Sequence, residues 1–300
     1  MKKPEKLKKG DKIALVCPAS QLRTNLKTAK KVFERWGLEV ILGKTIHSNF
    51  GTFSGNDEER RQDLQFFLDD PQIKAVFAAR GGYGTVRIID RLNFDVFFKN
   101  PKWLIGFSDI TVLHSHLHRV FDICSIHGQM PGAFDDSSGA ALDSLHTSLF
   151  GHDLHYQYSS FSTYNRSGNV SGIIIGGNLA ILHSLIASES DMDYSNKILF
   201  IEDVGEKVYN IDRMMWTLKR AGKLDRLKGL LVGGFTDLKI SEHAFNMDYQ
   251  EVIYEKIREY KYPVAFDFPA GHIADNRAII HGSMVDLSVV DHNISLTFKQ

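Results

Sequence analysis

Only two cysteines, Cys17 and Cys124, occur in the 300 residues of the chain, too few for a disulfide framework. Long apolar runs are also missing. No stretch approaches the roughly 20 residues of a transmembrane helix. The run after the basic start MKKPEKLKKGDKIALV is too short for the apolar region of a signal peptide, and Asp11 interrupts its approach. Net charge is the third absence. The 36 lysines and arginines match 36 aspartates and glutamates, so no global field favours nucleic acid or an acidic membrane. Together these absences point to a soluble, cytoplasmic protein that acts on a small molecule or peptide, with no nucleic-acid or membrane partner. The length suggests one large or two medium domains with ample core.

The first half alternates strand and helix signals. KIALVCPAS (12–20) reads as a short strand ending in Pro18. LKTAKKVFERWG (26–37) reads as a helix closed by Gly37, and LEVILG as the next strand. NDEERRQDLQFFLDD (56–70) is an amphipathic helix capped by Asn56, with Leu64, Phe67 and Leu68 on one face. The strand IKAVFAA (73–79), the glycine-rich RGGYG (80–84), a helix through Ile88 and Ile89, and a strand containing LIGF follow. This alternation predicts a parallel sheet with helices on both faces, whose ligands bind beyond the carboxyl ends of the strands. Residues 135–169 are rich in serine, tyrosine and asparagine and mark a boundary. The second half opens with a strand, a Gly-Gly-Asn turn and a helix in SGIIIGGNLAILHSLIAS. It continues with KILFIEDVGE (197–206), a helix over 209–222, a strand over 229–235 and a helix over 249–260. IIHGSMVDLSVVDHNISLTF ends the chain as antiparallel strands. Two domains are expected, 1–155 and 156–300.

Several residues carry chemical potential, each beside a plainer reading. RGGYG can bring backbone N–H groups close to an anion, but it matches neither G-x-G-x-x-G nor a P-loop, and a tight turn explains it equally well. Ser108, in LIGFSDIT, stands where an apolar strand breaks into a helix. It is either an N-cap or a nucleophile on a sharp turn, although Ile110 stands where the elbow G-x-S-x-G needs glycine. A serine nucleophile needs a base and a group that orients the base. Glu202 follows Leu199-Phe200-Ile201 and is expected at the exposed end of that strand. His272 lies in the irregular FPAGHIADN, where a solvated loop histidine is the plainer reading. His114 and His118, four residues apart on a helix, with His127 nearby, offer a rival metal site; a polar helix face fits them better. Cys17 is read as a small buried apolar residue.

Taken in order, RGGYG, GFSDIT, GGNL, LFIEDVGE with a following IDRM, and FPAGH resemble the LD-carboxypeptidases of serine peptidase family S66. That family includes the murein tetrapeptide carboxypeptidases and the microcin-immunity peptidases. The resemblance implies an α/β protein with an amino-terminal flavodoxin-like parallel-sheet domain and a smaller carboxyl-terminal α/β domain with a mixed sheet. It implies a Ser-Glu-His triad of Ser108 from the first domain with Glu202 and His272 from the second, and an oxyanion hole of the Asp109, Gly82 and Gly81 backbone. LFIEDVGE also offers Glu206, which lies past the turn and reads better as solvated or as a cap. Tyr83, Arg80 and Arg213 are candidates for substrate binding. Arg80, Arg213 and Arg277 are the arginines near the motifs that could hold a terminal carboxylate. The implied substrate is a murein tetrapeptide, cut before its terminal D-alanine during peptidoglycan recycling, with no metal, no organic cofactor and a homodimeric assembly. No long insertion interrupts 234–263, which favours the murein branch over the microcin branch. A catalytically silent ligand-binding protein on the same scaffold is the alternative from another class.

Overall fold

A computed structural model describes residues 1–239 and 245–299. Part of the 234–263 stretch, residues 240–244, therefore lies outside the described residues. Five strands of the amino-terminal half pair in parallel: β1 (Lys12–Val16), β2 (Glu39–Leu42), β3 (Ile73–Ala78), β4 (Trp103–Gly106) and β5 (Ser125–His127). Their order, β2-β1-β3-β4-β5, is the flavodoxin-like one. The helices are α1 (Lys27–Arg35), α2 (Asp57–Asp69), α3 (Asp95–Lys99), α4 (Thr111–Phe121) and α5 (Gly139–Phe150). Phe33 of α1 and Leu145 of α5 pack with Ile13 and Leu15 on one face of the sheet. Leu64 and Leu68 of α2 and Leu113 and Leu117 of α4 pack with Ala14 and Val16 on the other. Cover on both faces is why β1 reads as an unbroken apolar run. The Asn56 cap of α2 is a full capping box: its side chain takes the Glu59 N–H at 3.0 Å, and Glu59 Oε2 takes the Asn56 N–H at 2.7 Å.

The second sheet is mixed, as expected. It contains β6 (His155–Ser159), β7 (Gly168–Asn178), β8 (Lys197–Val204), β9 (Gly229–Thr236) and β10 (Val264–Ala265). β12 (Met284–Val290) and β13 (Asn293–Phe298) complete it in the order β10-β9-β8-β7-β12-β13-β6. β7 to β10 run parallel, and β12, β13 and β6 join antiparallel. Three helices accompany these strands: α6 (Leu179–Ser184), α7 (Val208–Arg220) and α8 (Tyr249–Ile257). β11 (Ile279–His281) leaves this half of the chain and pairs antiparallel with β5, so it extends the first sheet.

Three local expectations need correction. The stretch through Ile88 and Ile89 is two 3-10 turns, Thr85–Arg87 and Ile89–Arg91; so short a segment cannot repay the cost of an α-helical nucleus. Gly-Gly-Asn is the end of β7 rather than a turn, because Gly176 and Gly177 still pair with Phe200 and Ile201. β8 does not stop at Glu202 but runs on to Val204. No described helix is long and apolar enough to cross a membrane.

Candidate active site

Ser108 adopts φ 63°, the left-handed region that costs a residue with a Cβ about 1–2 kcal/mol. Strain of this kind persists only where the surroundings over-determine it. Here Phe107, Asp109 and Ile110 are buried around it. Further along, His114 ties α4 back to β4 by donating its Nε2–H to the Gly106 carbonyl at 2.9 Å while Nδ1 accepts the Ser125 hydroxyl at 2.8 Å. Asp109 fastens the next loop, since its buried Oδ2 accepts the Thr85 N–H at 2.8 Å. The Ser108 side chain caps no helix. Its Oγ lies 3.0 Å from His272 Nε2.

His272 enters from the loop after β10. Gly271 before it sits at φ +113°, where a Cβ would come within 2.9 Å of Glu202, so only glycine lets the loop approach β8 this closely. The Gly271 N–H donates to Asn276 Oδ1 at 2.8 Å, and Thr236 Oγ1 donates to the His272 carbonyl at 3.1 Å. His272 Nδ1 then lies 2.7 Å from Glu202 Oε2. Because a carboxylate only accepts, this contact puts the neutral ring's proton on Nδ1 and leaves Nε2 free to accept from Ser108. Burial of the ring is the largest single influence on its pKa and favours the neutral form. The Glu202 charge and hydrogen bond, with Asp203 and Asp237 further off, together outweigh it, and the net shift is upward.

Glu202 departs from expectation in one respect. It is 0% exposed, held inside the sheet where the β8–β9 register shifts between Ile201 and Asp203. Such irregularities re-aim side chains beside functional sites. Glu206 lies apart, on the far side of Gly205, and accepts from Asn210 Nδ2 at 2.8 Å in the first turn of α7.

Of the glycine-rich turn, Gly81 lies against Ser108: a Cβ there would sit 3.0 Å from Ser108 Cβ and 3.3 Å from its Oγ. Gly82, at φ +100°, faces Ser20 instead. Tyr83 is half exposed and packs on Phe53. Arg80 donates to the Gln21 carbonyl at 2.7 Å, Arg277 grips Asp275 with two nitrogens, and Arg213 lies over the Tyr209 ring. The rival metal reading loses His114 as a donor. Both His114 nitrogens are engaged, and burial pushes the ring down to about 4. Among the described residues no group of three His, Cys, Asp or Glu side chains could hold a metal. His114 is fully buried rather than part of a polar face. Cys17 is buried, and that burial raises its thiol to about 12, so it is inert.

Two supports of the site carry little signal in the sequence. Arg60 is fully buried and donates to the Pro18, Gly84 and Gly55 carbonyls, which locks the loops behind Ser108 together. In DEERRQ it looks like a surface charge; only its place one turn before Leu64, on the apolar face of the helix, hints otherwise. Asn276 holds Gly271 and contacts His127 Nε2 at 3.1 Å, and nothing in FPAGHIADN distinguishes it.

Comparison with known proteins bears on both halves of this site. Residues 13–128 match the LD-carboxypeptidase N-terminal domain of peptidase family S66, and residues 171–287 match the corresponding C-terminal domain. A probable murein peptide carboxypeptidase of Bacillus subtilis is 33% identical over 96% of this chain and 92% of its own. The murein tetrapeptide carboxypeptidase of Pseudomonas aeruginosa is 30% identical over 90% of this chain and 91% of its own. The crystal structure of muramoyltetrapeptide carboxypeptidase from Oxalobacter formigenes superposes with a TM-score of 0.87 at 27% identity, covering 96% of this chain and 99% of that one. With a family domain matched on each side of the Ser108–His272 contact, the chain belongs to the LD-carboxypeptidases, the S66 family of serine-type peptidases.

Proposed function

We propose that the protein is a serine LD-carboxypeptidase that releases the terminal D-alanine from murein tetrapeptides. The observation that carries this reading is the unbroken hydrogen-bonded line from Ser108 Oγ through the His272 ring to Glu202, at 3.0 and 2.7 Å. In this reading Ser108 Oγ attacks the carbonyl of the L-centre while His272 Nε2 takes its proton, and Glu202 stabilises the imidazolium. The tetrahedral oxyanion meets the backbone N–H of Asp109 and that of Gly81 or Gly82, each donor contributing about 3–4 kcal/mol. Asp109 stands in the first turn of a 3-10 segment, Ser108–Ile110, where an N–H has no carbonyl within its own helix. Collapse expels the D-alanine amine with the proton from His272. Water, deprotonated by the same ring, then cleaves the acyl-enzyme and restores Ser108.

The terminal carboxylate needs a cation. The Arg277 fork is taken by Asp275, so Arg80, which shares the glycine-rich turn with Tyr83, and Arg213 on α7 are the candidates. In this proposal Ser108 belongs to a domain of residues 1–155, and Glu202 and His272 to one of residues 156–300. Cytoplasmic recycling of cell-wall fragments and a homodimer follow from the family resemblance alone. The test is to incubate the protein with a murein tetrapeptide and measure free D-alanine. Stoichiometric release is expected. Cleavage of a peptide-nucleotide in its place would move the chain to the microcin-immunity branch, and binding without release would make it a silent binding protein.

A further inference from the structure

Next to Glu202 on β8 lies a second buried carboxylate that the triad does not use. Asp203 is 2% exposed, and because successive side chains of a strand point to opposite faces, it turns away from His272. Its Oδ1 accepts from Asn178 Nδ2 at 2.9 Å and from the Val204 N–H at 2.8 Å; its Oδ2 accepts the Ala180 N–H at 3.0 Å. All three donors are well placed for a charged acceptor. Asn178 is thereby held at the end of β7, where its own Oδ1 caps α6 through the Ile181 N–H at 3.2 Å.

Asn178 also reaches the nucleophile's side of the site. Its backbone N–H donates to Thr111 Oγ1 at 3.1 Å. Thr111 is fully buried and opens α4 directly after the Ser108–Ile110 turn. The approach is tight: Gly177 sits at φ +138°, and a Cβ on it would lie 2.5 Å from that same hydroxyl. Asn178 pairs with Glu202 across β7 and β8. One short hydrogen-bonded chain, Asp203 to Asn178 to Thr111, thus joins the strand that carries Glu202 to the turn that carries Ser108.

We propose that Asp203 is a positioning residue for the reaction: by holding Asn178 against Thr111 it sets the Ser108 turn in register with the His272–Glu202 pair. A carboxylate suits the task because it accepts on both oxygens. The isosteric amide would turn a donor toward either the Ala180 N–H or the Asn178 amide and release one end of the chain. Asp203 also lies in the field of the site. Burial and the Glu202 charge raise it to about 6, and its own charge is among those that raise His272.

The inference rests on Ser108 being the nucleophile, and its test reads that serine without needing the natural substrate. A fluorophosphonate reacts by bond formation from Ser108 Oγ to phosphorus, loss of fluoride and transfer of the serine proton to His272. The rate of this labelling, followed by mass spectrometry across pH 5–9, is compared for the wild type, Asp203→Asn, Thr111→Val and the double variant. Misplacing reacting groups by a fraction of an ångström costs on the order of tenfold or more. Asp203→Asn should therefore label at least about tenfold more slowly, with the midpoint of its pH–rate curve moved to lower pH because His272 has lost a neighbouring negative charge. Thr111→Val, which keeps shape and removes only the hydroxyl, should label several-fold more slowly at an unchanged midpoint, and the two losses should be non-additive. If Asp203→Asn does not fold, Thr111→Val decides alone. Wild-type labelling rates with unmoved midpoints in the variants would overturn the proposal, even where their melting temperatures fall. A wild type that is not labelled at Ser108 would sink the functional reading itself.

Discussion

Glu202→Gln isolates the orientation of the base. The side chain is fully buried, and its Oε2 lies 2.7 Å from His272 Nδ1, so the amide keeps the volume and removes the charge. An ion pair at about 4 Å between charge centres is worth about 4 kcal/mol at an effective dielectric of 20, or about a thousandfold in rate. The amide can also present its NH2 to Nδ1, which favours the tautomer with Nε2 protonated and unable to accept from Ser108. Together these effects predict a fall in kcat of about 10³–10⁴, in line with the loss of the orienting acid in serine proteases of other folds. Glu206→Gln removes only the charge of a carboxylate that accepts from Asn210 Nδ2 at 2.8 Å, a bond the amide oxygen can still accept; it should cost at most about 1 kcal/mol of stability and leave kcat within about tenfold. D-alanine release gives kcat, and circular dichroism checks the fold. The reverse pattern would move the orienting role to Glu206. Two near-normal variants would mean that His272 is oriented by some other group.

Activity should fall as pH drops through the His272 pKa. That value is raised above 6.5, so the acid limb of kcat/KM should lie above pH 6.5; a limb near pH 5 contradicts it. Prolonged dialysis against EDTA should leave D-alanine release unchanged, whereas loss with recovery on added zinc would revive a metal role for His114 and His118. Stability should also decline in acid. Burial lowers His114 to about 4 and His127 to about 3 in the folded chain, while both return to about 6.5 on unfolding. Below pH 6.5 the unfolded state binds the extra protons, so each ring removes about 1.6 kcal/mol between pH 6.5 and 5. Denaturant midpoints that stay flat over that interval would refute this.

Much of the site was legible because its turns are spelled by residue type. Breaks such as Phe107-Ser108-Asp109 and Ala270-Gly271-His272 interrupt apolar runs with residues that do not belong in a strand interior. The capping box of α2 and the parallel strands follow from local pattern for the same reason. Glu202 shows where that reasoning fails. A charged residue normally ends an apolar run, yet here β8 carries it buried, because His272 returns from seventy positions away to partner it. No window of sequence contains that partner. The same holds for β11, whose apolar Ile279–His281 fits either sheet and is assigned only by its pairing with β5. Arg60 reads as one more charge on a helix until the loops that bring it carbonyls are in place.

The central claim is that Ser108 is the nucleophile of a peptidase that removes D-alanine from a murein tetrapeptide. The most direct measurement is D-alanine release from that peptide by the wild type and Ser108→Ala side by side, with peptide binding measured for both. The account predicts turnover by the wild type, retained binding by the variant, and a rate at least about 10³-fold lower, since removing a triad nucleophile costs far more than tenfold. Release by Ser108→Ala within about tenfold of the wild type would contradict it.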